Sequence, residues 1–136
     1  MSGKSTYAAS VLSTNTLNLG FPYSGSQRAR LILRRHPTHG QDVILTIEKG
    51  QILCGYSDCP VRVRFDDAPA RVIQGNEPAD HDSTVVFLPG FKDLRGRIAK
   101  AKVMRVQVNL FQEGAPVLEF DVSGFDPSKL DPPKKK

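Results

Sequence analysis

The sequence contains no tryptophan and only two cysteines and two methionines. No apolar run approaches the roughly 18 residues that a membrane-spanning helix needs, so a helical span is excluded. Charge of one sign is scarce too: nineteen Lys and Arg stand against fourteen Asp and Glu for a formal +5, and Lys134, Lys135 and Lys136 supply three of those charges. The rest of the chain therefore carries only about +2, which is weak ground for a polyanion partner. Ten prolines and eleven glycines argue against a protein of long helices. What remains is 136 residues, 39% of them apolar and 24% charged, the size of one ordinary domain with one core.

Alternation of period two dominates the chain, and its breaks fall on turn residues, which is the pattern of many short strands. Between Arg28 and Arg35, Leu31 and Leu33 face one way while Arg30 and Arg34 face the other. After a turn at His36-Pro37-Thr38-His39-Gly40, Val43, Leu45 and Ile47 share a face, so the two runs read as a hairpin. Gln51 to Cys54 is a further short run. In Cys59 to Phe65, Val61, Val63 and Phe65 point inward and Arg62 and Arg64 outward, the cleanest alternation in the sequence. Ala70 to Gln74 and Thr84 to Leu88 read as strands around a mobile polar loop, Gly75 to Ser83, that carries Pro78. Met104, Val106, Val108 and Leu110, and then Leu118, Phe120 and Val122, line the inner faces of two late strands. Arg105 or Arg64 beside Glu119 or Asp121 would make a cross-strand pair.

One segment departs from that rhythm. Phe91, Leu94, Ile98 and Ala101 recur at spacings of three and four, which predicts about three turns of amphipathic helix over 91–101 despite Gly96. With Tyr7 to Leu12 and Thr16 to Phe21 also extended, the expectation is an all-β fold: an antiparallel two-sheet β-sandwich of about ten strands with one short helix. The domain is expected to occupy residues 1–125, and 126–136, rich in Pro and Lys, to form a disordered tail.

Cys54 and Cys59 flank Gly55-Tyr56-Ser57-Asp58, a turn-forming tetrapeptide. If the flanking strands pair as a hairpin, both sulfurs can point the same way across it, and a disulfide fits. Such a bond implies an oxidising compartment. Two reduced, buried cysteines are the plainer alternative. A Cys2His2 site with His36 and His39 is a third reading, although the spacing is atypical for structural zinc, and no metal or cofactor is assigned.

The residues that could support acid-base chemistry are Asp66 and Asp67 at a strand end and His81, Asp82 and Ser83 in the long loop. Adjacent loop residues do not face one another as a catalytic set must, so no enzyme activity is expected. No phosphate-binding glycine loop is present, because Ser24-Gly25-Ser26 lacks the following lysine and the strand-to-helix context. Arg28, Arg30, Arg34, Arg62 and Arg64, with Arg35, lie on outward strand faces. Were those strands neighbours, the arginines would form a basic stripe, with Tyr56 or Phe91 as stacking platforms, as in a nucleic-acid-binding barrel. A mixed solvated sheet face is the alternative favoured here.

Four segments carry a resemblance: Asn15 to Tyr23, Lys49 to Cys54, Cys59 to Asp67, and Phe120-Asp121-Val122-Ser123-Gly124-Phe125. Together they resemble an uncharacterised domain of exported proteins and lipoproteins of Gram-negative bacteria, over about Tyr7 to Phe125. The resemblance implies a periplasmic location, with a signal peptide removed or a lipid anchor in the precursor, and it transfers no site residues. Met1-Ser2-Gly3-Lys4-Ser5-Thr6 has no apolar segment of the signal type. A cytoplasmic protein, or a start placed after a removed leader, are the two readings of that fact. The expectation overall is a non-enzymatic envelope protein that binds a protein or other envelope partner, with a cytoplasmic nucleic-acid-binding barrel as the alternative.

Overall fold

The computed structural model describes residues 7–19, 25–36, 40–53, 59–78, 80, 82–111 and 114–125. The expected tail, 126–136, lies outside them. Ten strands and one helix follow in the order β1 (Tyr7–Leu12), β2 (Leu17–Leu19), β3 (Gly25–Gln27), β4 (Arg30–His36), β5 (Gly40–Thr46), β6 (Pro60–Phe65), β7 (Arg71–Gln74), β8 (Val85–Leu88), α1 (Phe91–Lys100), β9 (Val103–Val108) and β10 (Val117–Asp121). All strand pairs are antiparallel. Sheet I has the order β1-β4-β5-β8, sheet II the order β10-β9-β6-β7, and β2 and β3 form a separate ribbon. The fold is the all-β sandwich with a single short helix that the alternation predicts.

Alternation decides which side chains fill the space between the sheets. Leu31, Leu33, Val43 and Leu45 from sheet I meet Val61, Val63, Met104, Val106, Leu118 and Phe120 from sheet II in one continuous core. Ile44 faces the other way yet is also buried, because Ile32 and Phe87 stand directly beside it on the neighbouring strands. It forms a small apolar row on the outer face of sheet I.

The two sheets touch along both lateral edges. On one side Asn76, just past β7, exchanges both backbone hydrogen bonds with Phe87 of β8, each at 2.8 Å. Asn76 is therefore part of a sheet junction, where the sequence reads as loop. On the other side the chain after β1 hooks onto β10: the Thr14 N–H donates to the Glu119 carbonyl at 2.7 Å, and Asn15 Nδ2 donates to the Val117 carbonyl at 2.7 Å.

Helix α1 buries Phe91, Leu94 and Ile98 and packs against β5. It starts from Gly90, whose φ of 83° is a left-handed conformation that glycine adopts without steric cost. Asp93 sits in the first turn, and Arg97 and Lys100 in the last, as the helix dipole favours. Asp93 also accepts from Arg71 at 3.2 Å and from Arg97 at 3.1 Å, tying the helix to β7. None of the described helices is long and apolar enough to cross a membrane. Buried Gln27 anchors the β2-β3 ribbon: its Oε1 accepts from the backbone N–H groups of Glu48 and Lys49 at 2.7 and 3.0 Å, and its Nε2 donates to the Lys49 carbonyl at 2.8 Å. No periodicity in the sequence marks that role.

Candidate binding surfaces

The segments flanking the two cysteines do not pair with one another. Ile52 is bridged to Leu110, and Val61 lies opposite Val108. Both segments run antiparallel to the same line of backbone, β9 and its continuation, on the same side of it. One residue separates Val108 from Leu110, whereas eight separate Ile52 from Val61, so the connecting segment is seven residues longer than continuous pairing needs. The described flanks therefore lie in line against one strand and not side by side as the expected hairpin would place them. The entry to the connecting segment is fixed by the Leu53 N–H donating to the Asn109 carbonyl at 2.8 Å. At the exit, the Cys59 N–H donates to Gln74 Oε1 at 3.1 Å and its carbonyl accepts from Gly75 N–H at 2.8 Å. Cys59 is buried, and no described cysteine is free. Cys54 and Tyr56 lie outside the described residues, as do His39 and the side chain of His36, so the Cys2His2 reading falls there too. Among the described residues no group of three metal-ligating side chains gathers.

The arginines are divided between two faces. Arg30 and Arg34 project from β4 on the outer face of sheet I, and Arg62 and Arg64 from β6 on the outer face of sheet II. Those faces point away from each other, so the single stripe that neighbouring strands would have made is not formed. Arg30 donates to Ser10 Oγ at 3.2 Å, and Arg34 donates through both Nε and Nη2 to Asp42 Oδ2 across the β4-β5 pair. Arg28 and Arg30 share a cleft of about 490 Å³ with Thr46 and Glu48, an acid among the cations. Arg64 faces Arg105 across the β6-β9 pair and turns its Nε to the Ala68 carbonyl at 3.0 Å, while Arg105 reaches the other way to Glu119 at 3.0 Å. That last pair is the one alternation anticipates, and at such exposure it contributes about 0–1 kcal/mol. Phe91, considered as a stacking platform, is instead buried in the core.

Of the residues weighed for chemistry, Asp66 and Asp82 are turn formers, and Asp121 plays the same part. Asp66 has a φ of 49°, and its Oδ1 accepts from the backbone N–H groups of Lys102 and Val103, each at 3.0 Å. Asp82 Oδ1 accepts from the hydroxyl and N–H of Thr84 at 2.7 and 2.9 Å, and Asp121 Oδ1 from the hydroxyl and N–H of Ser123 at 2.6 and 3.0 Å. The Ser83 carbonyl accepts from the Ile52 N–H. Asp67 is exposed at the same turn as Asp66, and His81 lies outside the described residues.

These hydrogen bonds favour the charged carboxylate and hold all three carboxyls below the ordinary aspartate value of 3.8, through Val103 and then Lys102 for Asp66, and through the neighbouring hydroxyl and then the N–H for Asp82 and Asp121. A folded-state value below the unfolded one means that the unfolded chain binds more protons as acid is added. The stabilisation is complete above the unfolded value and disappears as pH falls through the folded ones. Urea unfolding should therefore show a stability plateau above about pH 5 and a decline below about pH 4. Replacing all three residues by Asn should flatten that decline, and an unchanged acid limb in the triple variant would refute the assignment.

The outer face of sheet II has a different character. Leu53, Val72, Phe111 and Val117 are 45%, 55%, 43% and 43% exposed, four of the five large apolar side chains left open among the described residues. Val117, Gln107, Arg62 and Val72 stand side by side across the four strands. Leu53 and Phe111 flank the buried Ile52–Leu110 bridge and so face the opposite way, outward. On this face a groove of about 310 Å³ is lined by Pro60, Arg62, Val72, Gln107, Asn109 and Ala115. The outward position of Val117 follows from the inward ones of Leu118 and Phe120. Phe111, beyond the last regular alternation, had no such signal.

No protein-family model matches this sequence, and no curated protein matches it. Among solved structures it is similar to the crystal structure of invasion associated protein B from Bartonella henselae, at 15% sequence identity and a TM-score of 0.47, covering 90% of each chain.

Proposed function

We propose that this domain is a non-catalytic binding module of the bacterial envelope that engages a protein partner through the outer face of sheet II. The observation that supports it is the concentration of exposed Leu53, Val72, Phe111 and Val117 on that one face, around Arg62. Exposed apolar side chains gathered on one face mark interaction sites, and here Val72 and Val117 border a polar centre of Arg62 and Gln107. Asp66 and Asp82, two of the carboxylates weighed for chemistry, are engaged in holding turns. The envelope assignment rests on the resemblance to the exported-protein domain and on a Cys54–Cys59 disulfide. Cys54 and Cys59 are the two cysteines of the sequence, and Cys59 is not free. Closing so small a loop contributes about 2 kcal/mol, and its position at the base of the connecting segment holds entry and exit of the loop together.

Two measurements test this reading. The protein isolated from the cell envelope should be about two mass units lighter than after reduction, as one disulfide requires. A photo-crosslinking side chain at Val72 or Phe111 should give one partner adduct in cells, and the same group at Arg30, on the opposite face, should not. Adducts of equal intensity at all three positions, or at none, would overturn the interface. The arginine-based nucleic-acid reading is disfavoured by the opposed placement of Arg30 and Arg34 against Arg62 and Arg64.

A further inference from the structure

The edge strands β1 and β10 are laced at Thr14 and Asn15, where the Glu119 N–H also donates to Asn15 Oδ1 at 2.9 Å. Away from that lacing, towards Ala9 and Phe125, a cavity of about 310 Å³ lies between them and reaches into the space between the sheets. Leu31, Leu33, Ile98 and Val122 form its apolar depth. Small residues keep it open. Ala9 occupies an inward-facing position of β1 that a longer aliphatic side chain would fill, and a Cβ placed on Gly124 would meet nothing within 4 Å.

The mouth is polar: Asp121 is the one charged side chain lining it among the described residues, and Arg30 reaches Ser10 from the outer face of sheet I. Asp121 and Ser10 line it. Asp121 Oδ1 is occupied by Ser123, which leaves Oδ2 without a partner among the described residues. Ser10 Oγ already accepts from Arg30, so its own hydroxyl hydrogen is what remains to offer. A cavity of about 150 Å³ lined by aliphatic and aromatic side chains suffices to bind benzene. Twice that volume accommodates an apolar chain of about ten carbons. A carboxylate at the mouth favours a cationic head on that chain and repels an anionic one.

We propose that the gap between β1 and β10 binds a single-chain amphiphile with a cationic head, its chain between the two sheets and its head against Asp121. The cavity shares no lining residue with the groove beside Arg62 on sheet II, and neither reading depends on the other.

Titration with n-decylammonium and decanoate below their micelle concentrations, and with n-decanol below its solubility limit, tests the proposal by calorimetry and by methyl NMR. The ammonium should bind saturably at one per chain and at least about tenfold more tightly than decanoate. Methyl shifts should concentrate at Leu31, Leu33, Ile98 and Val122. Ala9→Leu should abolish binding of both ammonium and alcohol. Asp121→Asn, which keeps an oxygen for Ser123, should leave decanol binding intact and remove the preference for the ammonium. Should Ala9→Leu fail to fold, the methyl shifts of the unaltered protein decide the location. No saturable binding, shifts centred elsewhere, or an ammonium preference that survives Asp121→Asn would each overturn the proposal.

Discussion

Phe120→Ala should lower the free energy of unfolding by about 3–5 kcal/mol, against a total of about 5–15 kcal/mol for a domain of this kind. Phe120 is the largest side chain with no exposure, and it stands opposite Met104 on the inner face of β10. Truncating it removes apolar surface from the core and leaves a cavity that both sheets must distort to fill, and the cavity makes the cost exceed that of transfer alone. Its neighbour Val117 is on the same strand but points outward and is 43% exposed. Val117→Ala should therefore change stability by no more than about 0.5 kcal/mol. Urea unfolding of both variants gives the comparison, with an unchanged slope confirming that compactness is retained. A loss below about 1 kcal/mol for Phe120→Ala would mean that β10 is not the packed closing strand described here.

The division of labour within β10 was legible in advance, because alternation is a local property: Leu118 and Phe120 against Glu119 and Asp121 needs no knowledge of the partner strand. The same holds for Val61, Val63 and Phe65 in β6, and for α1, where Phe91, Leu94 and Ile98 recur at helical spacing before the capping Ala101. Sheet membership is another matter. Whether Arg34 and Arg62 share a face depends on which strands pair, and that is settled by contacts tens of residues apart. Arg30, Arg34, Arg62 and Arg64 point outward as alternation predicts, whereas Arg35 shares the parity of inward Leu31 and Leu33 and Arg28 lies outside the strands. A common stripe would also require β4 and β6 to be neighbours, and they belong to different sheets.

The cysteine loop illustrates the same limit. Two alternating segments around a turn-forming tetrapeptide have the local signature of a hairpin. The observed alternative, both segments in line against β9, needs a third strand more than forty residues away. Ile44 and Gln27 were missed for a related reason. One is buried by cross-strand neighbours on the outer face, and the other by a turn from a different part of the chain. Exposed apolar residues such as Val72 and Phe111 carry no periodic signal of function. Their meaning appears only when the sheet brings them together.

Gly75→Val should destabilise the domain by about 1–3 kcal/mol, and the damage should centre on the junction of the two sheets. At Gly75 the chain leaves β7 and passes so close to β8 that a Cβ would lie 2.7 Å from Val86 Cγ2, 3.3 Å from the Phe87 carbonyl oxygen and 3.4 Å from the Cys59 carbonyl oxygen. Val86 is fully buried, so its methyl cannot swing aside into solvent, and the two oxygens belong to backbone engaged in pairing. Valine adds two further methyls to that crowded position. Relief requires the Asn76–Phe87 bridge to open, and hydrogen exchange at the amides of Asn76 and Phe87 should then accelerate more than exchange in β9. Gly96, in α1, provides the contrast: a Cβ there meets nothing within 4 Å. Gly96→Ala should therefore stabilise by about 0.5–1 kcal/mol through helix propensity alone. Opposite signs at the two glycines would separate close backbone approach from ordinary conformational entropy. A neutral Gly75→Val would show that sheets I and II are not in contact along that edge.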